Sequence, residues 1–272
     1  MKEMGSGHFS LSIAERVGLV SFLAAIPLWF YAPRVSSIPL SIFLLLCIAA
    51  PFFPRFGFYL PVISRGKSGK KAVALTFDDG PDPFTTPEIL RLLSKYNAKA
   101  TFFVTGENAS EHPDLIKEII LQGHTIGSHT YSHDHWVLLR GRKRLTGEIQ
   151  SAHRVLTGFG INPLAFRPPV GMTGPGLHRV LRESGLYVVN FSCRAFDRGN
   201  RRIRDLSTKI LRKICPDDII LLHDATPKKK DMLSTWLNEV DGLLSGIKAK
   251  GFSILPLSEM IGRPVMTTKN DE

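Results

Sequence analysis

Two adjacent carboxylates and two closely spaced imidazoles are the side chains of this 272-residue chain that most clearly suggest chemistry. Asp78 and Asp79 end a run of strand-forming residues, AVALTF, and stand directly before a Gly-Pro turn. Adjacent like charges are costly unless a cation neutralises them. His129 and His133 are four residues apart, a spacing that would place both rings on one face of a helical turn. Since two imidazoles, one carboxylate and an open water position form a zinc-type catalytic site, these residues predict a metal centre.

Two further apolar runs also end in polar side chains that could take part in chemistry. Arg167 stands directly before two prolines in FRPPVG, and an arginine held on so rigid a backbone can keep a carboxylate ionised and oriented. His223 ends the apolar run DDIILLH and is a candidate proton donor. A plain histidine-rich loop is the alternative for the imidazoles, because His124, His135 and His153 are nearby.

The elements that must position these residues alternate between strand and helix from residue 70 onwards. Such alternation predicts a mainly parallel sheet or barrel, in which active sites gather at the carboxyl ends of the strands. The polar tail, residues 263–272, is predicted to be flexible. The strand-like runs are 72–77, 100–104, 124–127, 164–166, 186–191, 218–222 and 252–255, and the helical segments are 86–96, 113–123, 142–158 and 231–250.

The first 66 residues have a different character and suggest a membrane anchor. Between Arg16 and Arg34 lie 17 uncharged residues, and 20 more lie between Arg34 and Arg55. A helix needs about 20 apolar residues to cross a membrane, so the second run fits and the first is marginal. A two-helix hairpin, a single span with an interfacial segment, a cleaved signal peptide and a buried soluble hairpin all remain open, and so does the side on which the following domain lies.

The motifs TFDDGPD, HTYSH, RPPVG and LLH, in this order, resemble those of the polysaccharide deacetylases of carbohydrate esterase family four, the NodB-homology domain. The resemblance covers about residues 70 to 260 and implies a distorted (β/α)7-type barrel that removes N- or O-acetyl groups from sugars with the help of a metal. We therefore expect an anchor region at 1–66, a catalytic domain at 67–262 and the flexible tail after it.

The resemblance also implies a role for each motif residue on the metal side of the site. Asp79, His129 and His133 are similar to the family's metal ligands, which hold one divalent ion. Zn²⁺ suits such a set, with Co²⁺, Ni²⁺ and Mn²⁺ as alternatives. Asp78 resembles the general base that activates the attacking water, and Arg167 resembles the arginine that tethers this base.

The leaving-group side follows from the same resemblance. His223 resembles the general acid that protonates the leaving amine, and Asp197 the residue that orients this acid. Leu221 resembles the leucine that lines the acetyl pocket. Val170 occupies the position whose backbone N–H is expected to stabilise the oxyanion.

The chain departs from the family pattern in one motif and one neighbouring position. The fourth motif, D-x-x-D-W in the family, corresponds here to RAFDR, in which Arg194 replaces the first acid and Arg198 the tryptophan. Val170 stands where the family often has tyrosine. These changes predict an active enzyme whose altered, more basic pocket prefers an unusual substrate, such as a glycan that bears a phosphate or another acid.

The net charge of +11 also favours an anionic partner. Peptidoglycan and chitin-like chains are the substrates that the resemblance implies. A polyprenyl-phosphate-linked sugar, deacetylated or deformylated at the membrane lipid surface, is the alternative. A catalytically inactive glycan-binding module is less favoured, because an acid and a base are both retained. No motif indicates nucleic acid as a partner, and the three cysteines show neither a disulfide framework nor metal-site spacing.

Overall fold

A curled parallel sheet covered by helices forms the larger part of the computed structural model, which describes residues 11–229 and 232–268. The strands are β1 (Val62–Ile63), β2 (Ala72–Asp78), β3 (Ala100–Val104), β4 (Thr125–Ser128), β5 (Ile161–Pro163), β6 (Ala165–Phe166), β7 (Tyr187–Val189), β8 (Cys193–Arg194), β9 (Asp218–His223), β10 (Ser253–Ile254) and β11 (Met266–Thr268). The helices are α1 (Ile13–Tyr31), α2 (Ile38–Ala49), α3 (Thr86–Lys95), α4 (Gly106–Glu111), α5 (Pro113–Leu121), α6 (Arg142–Gly158), α7 (Leu177–Glu183), α8 (Leu206–Leu211), α9 (Leu233–Ala249) and α10 (Leu257–Ile261).

The order of the strands places β2 in the middle of the sheet. The sequence of neighbours is β1-β7-β6-β4-β3-β2-β9-β8, with β10 paired to the start of β2, and each of these pairs is parallel. All seven residues of β2 are buried, in agreement with its largely apolar sequence, AVALTFD. All seven runs that the sequence predicted as strands are present, and the predicted barrel-type α/β fold is confirmed as a curled half-barrel.

Helices cover the sheet with amphipathic faces. The helix α3 begins with Thr86 and Pro87 and buries its apolar side against the sheet. The long helix α9 carries Trp236, which is fully buried in the core with residues of β2 and β9. This packing fixes the strands whose carboxyl ends carry the polar motifs.

The chain after Gly262 is not loose as far as residue 268, so the prediction of a flexible tail was wrong for this part. The strand β11 pairs antiparallel with β5, and Val265 is buried. The backbone N–H groups of Leu164 and Ala165 both donate to the Val265 carbonyl, at 2.8 Å each. A short polar sequence is thus held by backbone pairing, which composition does not reveal. Residues 269–272 lie outside the described residues.

The boundary predicted at residue 66 also needs adjustment, because β1 already belongs to the sheet. Val62 and Ile63 pair in parallel with Val188 and Val189 of β7. The sheet therefore begins at Val62, five residues before the predicted position 67.

The helices α1 and α2 form a hairpin that leaves the domain. The 19 residues of α1 extend for about 28 Å, and Ser12 and Glu15 form a capping box at its start. Only 17% and 11% of the two apolar segments, Ile13–Tyr31 and Pro33–Phe52, are buried. At the hairpin's base the Ala14 N–H donates to the Phe58 carbonyl at 2.9 Å. The helix α1 and the 20-residue helical segment Pro33–Phe52, which contains α2, are thus long and apolar enough to span a membrane and are mostly uncovered.

Candidate active site

The register of the sheet brings the predicted residues to one edge. Asp78 is the last residue of β2 and lies opposite His223, the last residue of β9. Ser128 of β4 pairs with Phe166 of β6, so that His129 and Arg167 each follow directly after these paired positions. The parallel strands thus deliver a carboxylate, two imidazoles and a guanidinium to the same end of the sheet, where α/β proteins place their active sites.

Three of these side chains form a compact donor cluster. The ligand atoms of Asp79, His129 and His133 all lie within 4.8 Å of one another. The Asp79 Oδ1 atom is 3.5 Å from His129 Nε2 and 3.2 Å from His133 Nε2. This buried oxygen has no hydrogen-bond partner among the described residues, although buried carboxylate oxygens normally have one. An orphaned oxygen facing two imidazole nitrogens fits a divalent metal.

The two histidines do not lie on a helical turn, so this part of the sequence prediction was wrong. They lie in an irregular loop after β4, in which Thr130 and His133 have φ values of 66° and 53°. The left-handed backbone conformation at these two residues lets the loop bring the His133 ring beside the His129 ring. The ring centroids are 4.8 Å apart. The four-residue spacing thus identified the correct pair of histidines but predicted the wrong backbone conformation for them.

The environment of the imidazoles suits them as ligands. The Nδ1 atom of His129 donates to the Arg167 carbonyl at 2.7 Å, which leaves Nε2 to face Asp79. Burial alone would lower the pKa of His129, but the charges of Asp78 and Asp79 raise it. Burial and the neighbouring His129 lower the pKa of His133 to about 4, so that its ring is neutral at pH 7. The cluster thus favours a positive charge at its centre, and the residues fit a bound cation.

The second carboxylate has a different environment. Asp78 is 4% exposed, and its Oδ1 accepts from Arg167 Nη1 at 2.6 Å. The fully buried guanidinium also donates to Thr76 Oγ1 at 2.8 Å and to the carbonyls of Val189 and Asn190 at 3.0 Å each. Because four contacts fix the guanidinium, it holds the Asp78 carboxylate in one orientation, as the sequence predicted.

The predicted acid is held by its own carboxylate. His223 Nδ1 lies 2.7 Å from Asp197 Oδ2, and Asp197 is 2% exposed. Burial of the imidazole works against its charge, but the hydrogen bond and the charge of Asp197 raise the pKa of His223 to about 9. The charges of Asp79 and Asp78 act in the same direction. The ring is therefore protonated at neutral pH and has a proton to donate.

A cavity of about 490 Å³ joins these groups and includes both predicted pocket residues. Leu221 of β9 lies on its wall and is 5% exposed. Val170 lies at its mouth, 49% exposed, with a φ of 52° in the short turn Pro169–Gly171. A β-branched residue with positive φ is an outlier that is typical of functional sites.

Four basic side chains line the cavity, and we refer to them together as its basic wall. They are Arg194, Arg198, Arg201 and Lys228. Arg194 lies over the rings of Phe191 and Phe196, 5.1 and 4.3 Å from their centroids. The two arginines that depart from the family motif, Arg194 and Arg198, thus both line the substrate space.

Sequence reasoning missed two acids that support the site. Asp224, directly after His223, is fully buried and accepts from the hydroxyls of Thr85 and Thr86 at 2.7 and 2.6 Å. Its burial raises the pKa of this carboxyl to about 7. Asp82 accepts from the Thr226 hydroxyl at 2.7 Å. The acid at the end of TFDDGPD was visible in the sequence, but only the contacts reveal that it ties the β2 and β9 loops together.

Comparisons with known proteins agree with this geometry. A family model described as polysaccharide deacetylase matches residues 65–189. A peptidoglycan-N-acetylglucosamine deacetylase of Bacillus cereus is 30% identical over 71% of this chain and 90% of its own length. A chitooligosaccharide deacetylase of Azorhizobium caulinodans is 32% identical over 71% of this chain and 96% of its own length.

A solved structure extends the likeness to three dimensions. It is the Bc1960 peptidoglycan N-acetylglucosamine deacetylase in complex with 4-naphthalen-1-yl-N-oxidanyl-benzamide. It has a TM-score of 0.68 and 31% sequence identity, and the match covers 75% of this chain and 94% of that one. The chain therefore belongs to the polysaccharide deacetylases of carbohydrate esterase family four.

Proposed function

We propose that this protein is a metal-dependent deacetylase that removes acetyl groups from N-acetylated sugars of a glycan such as peptidoglycan or a chitin-like chain. The observation that carries the proposal is the arrangement within one cavity. The triad of Asp79, His129 and His133 shares this cavity with a carboxylate held by a guanidinium and with an imidazole held by a carboxylate. Hydrolysis of an amide needs this combination of base and acid, because water must lose a proton and the leaving amine must gain one.

Asp79, His129 and His133 would hold the ion, and a set of two histidines and one aspartate suits Zn²⁺. When bound, such an ion lowers the pKa of a coordinated water to about 7 and polarises the acyl carbonyl. The hydrogen bond from His129 Nδ1 to the Arg167 carbonyl fixes the ring that presents Nε2.

The protein's own groups perform the proton transfers. Asp78 accepts the proton of the attacking water, while the hydrogen bond from Arg167 holds this carboxylate in one orientation. His223 donates its proton to the leaving nitrogen, and Asp197 keeps the imidazole charged until that moment.

The walls of the cavity complete the site. Val170 and Leu221 both line the cavity. We expect the Val170 N–H to donate to the developing oxyanion and Leu221 to provide an apolar surface for the acetyl methyl. An inactive binding module is disfavoured, because binding alone needs neither a base nor a charged acid.

The apolar hairpin supports a location at the membrane. Both helices leave most of their surface uncovered, which a soluble core helix does not do. Arg55, Arg65 and three lysines between residues 67 and 71 follow the hairpin, and the positive-inside rule favours the cytoplasm for such a segment, where lipid-linked precursors can be reached. A single span with a cytoplasmic N-terminus would instead place the domain outside, where peptidoglycan lies. A phosphatase reporter fused after Ser68 tests the side: activity there would contradict the cytoplasmic orientation.

A sugar linked to a polyprenyl phosphate is the second candidate substrate. A specific contact favours it: Arg55, just after the hairpin, donates to the Ser192 carbonyl at 2.7 Å, close to the basic wall of the cavity. This contact brings the membrane-proximal segment beside the substrate space.

The test is to incubate the full chain in detergent, with and without a chelator, with acetylated glycans and lipid-linked sugars, and to measure released acetate and formate. We expect metal-dependent release of acetate. Asp78→Asn serves as the inactive control. If the metal-loaded protein releases neither acid from any substrate, the proposed function is wrong.

A further inference from the structure

We propose that Arg194, Arg198, Arg201 and Lys228 form a phosphate-binding subsite on the leaving-group side of the cavity, so that the substrate is an acylated sugar carrying a phosphate ester. The inference rests on the proposed function and narrows its substrate class. All four side chains line the same cavity as the catalytic acid and base. Four cations on one wall suit a doubly charged group, which arginine binds through its planar fork.

The acids that line the same cavity do not neutralise this wall. Asp78 is paired with Arg167, Asp79 faces the two histidines, and Asp197 is engaged by His223. Within residues 11–229 and 232–268, none of the four cations forms an ion pair with a carboxylate within 4.0 Å. A cavity wall with uncompensated positive charge attracts and concentrates anions.

The guanidinium of Arg194 is held in place without a carboxylate. It is half-buried between the rings of Phe191 and Phe196, and the Lys213 ammonium donates to its backbone carbonyl. Stacking on aromatic rings orients the planar group and leaves its N–H donors available. This arrangement is pre-organised for an anion, which reduces the entropy lost on binding.

The wall lies close to the reacting atoms. Arg198 directly follows Asp197, whose carboxylate holds the acid His223. A Cβ placed on the next residue, Gly199, would be 3.8 Å from Asp79 Oδ2, so this loop crosses the rim of the metal centre. A bound phosphate would therefore belong to the sugar that is deacylated, on the side of its leaving nitrogen.

The phosphate has two possible sources, a water-soluble sugar phosphate and a lipid-linked sugar. The structure favours the lipid-linked form. Arg55 contacts Ser192 beside this wall, and the exposed rings of Phe53 and Phe56 flank Arg55 at the base of the hairpin. Exposed aromatic rings after an apolar helix favour the membrane interface, where lipid phosphates lie.

The test compares three substrates with the metal-loaded full chain in lipid nanodiscs. They are a neutral N-acetylated chitooligosaccharide, N-acetylglucosamine 1-phosphate, and N-acetylglucosamine linked through a diphosphate to a polyprenol. We expect kcat/KM for a phosphate-bearing substrate to exceed that for the neutral one by about tenfold or more, since each charge-assisted hydrogen bond contributes about 1.5–3 kcal/mol. Preference for the lipid-linked sugar alone would identify lipid as the source, and equal preference for both would identify phosphate itself.

The variants separate this inference from the proposed function. The exposed Arg198→Gln should lower the ratio of charged to neutral kcat/KM about tenfold. Arg204→Gln, an exposed position on the same segment that does not line the cavity, should leave the ratio unchanged. A wild-type ratio near one, or a ratio unchanged in Arg198→Gln and in Arg201→Gln, would overturn the subsite while leaving the deacetylase intact. Failure to hydrolyse all three substrates would overturn the proposed function and this inference with it.

Discussion

Replacing Asp197 by asparagine should make the enzyme lose activity at a lower pH, so that the alkaline limb of its pH–rate profile moves down. The carboxylate is buried and lies 2.7 Å from His223 Nδ1, and it is the main reason that the pKa of His223 is raised to about 9. Asparagine has nearly the same shape and leaves the packing unchanged, but it carries no charge. The substitution therefore removes the negative charge that stabilises the protonated His223 ring and changes little else.

The expected size of the effect follows from the ordinary pKa of histidine, 6.5. A rise from 6.5 to about 9 corresponds to about 3 kcal/mol in favour of the protonated imidazole. Without Asp197 the burial of the ring still lowers its pKa and the charges of Asp79 and Asp78 still raise it, so the pKa should fall to about 6.5. At about pH 7.5 the wild-type ring is almost fully protonated, whereas only about one tenth of the variant molecules carry the proton.

The assay measures kcat/KM as a function of pH for the metal-loaded enzyme. The alkaline limb of this profile reports the pKa of the essential acid in the free enzyme. The same metal is present in both proteins, so its own influence on His223 cancels in the difference. We expect the limb to move down by about two pH units or more, with partial recovery of the rate near pH 6. Asp205→Asn, an exposed acid on the same segment, is the matched control and should not move it.

A uniform loss of rate would refute the reasoning. If Asp197→Asn lowers kcat/KM equally at every pH and its limb coincides with that of the control, Asp197 acts by packing alone. An unchanged profile with full activity would show that Asp197 does not support the protonated form of the acid.

Further predictions concern the base, the metal, the buried ion pair and a crowded glycine. Asp78→Asn should lower kcat by about 10²–10⁴-fold while zinc stoichiometry, measured by elemental analysis, stays the same. A chelator should abolish acetate release and added Zn²⁺ should restore it; activity that survives complete metal removal would contradict the assigned ligands. Arg167→Met should destabilise the fold by about 3–5 kcal/mol in denaturant unfolding, because it leaves a buried carboxylate unpaired, and adding Asp78→Asn should recover part of this loss. Gly80→Ala should lower Tm, because its Cβ would clash with Asp224 Oδ2, whereas Gly176→Ala, whose Cβ would have nothing within 4 Å, should not.

Much of the site could be predicted from the sequence because its residues lie at the ends of strands. Asp78 and His223 each close a continuous buried run, and a parallel sheet necessarily delivers such ends to one edge. The family motifs then assigned the partners. Arg167 was predicted to hold Asp78, and the 2.6 Å contact between them agrees with this.

The parts that sequence reasoning missed depend on backbone conformation or distant pairing. The loop from His129 to His133 passes through positive φ at two residues that are not glycine, for which the sequence has no signal. The strand β11 is short and polar, and its partner β5 lies about a hundred residues earlier, so neither propensity nor periodicity reveals the pair. Asp224 is recognisable as a support only through the hydroxyls that it accepts from.

Arg167 serves the site through two different groups at once. Its side chain holds the Asp78 carboxylate, and its backbone carbonyl accepts from the His129 ring. The positions of the Asp78 carboxylate and the His129 ring therefore depend on the same buried residue. A substitution that shifts the backbone at Arg167 would disturb both groups at once.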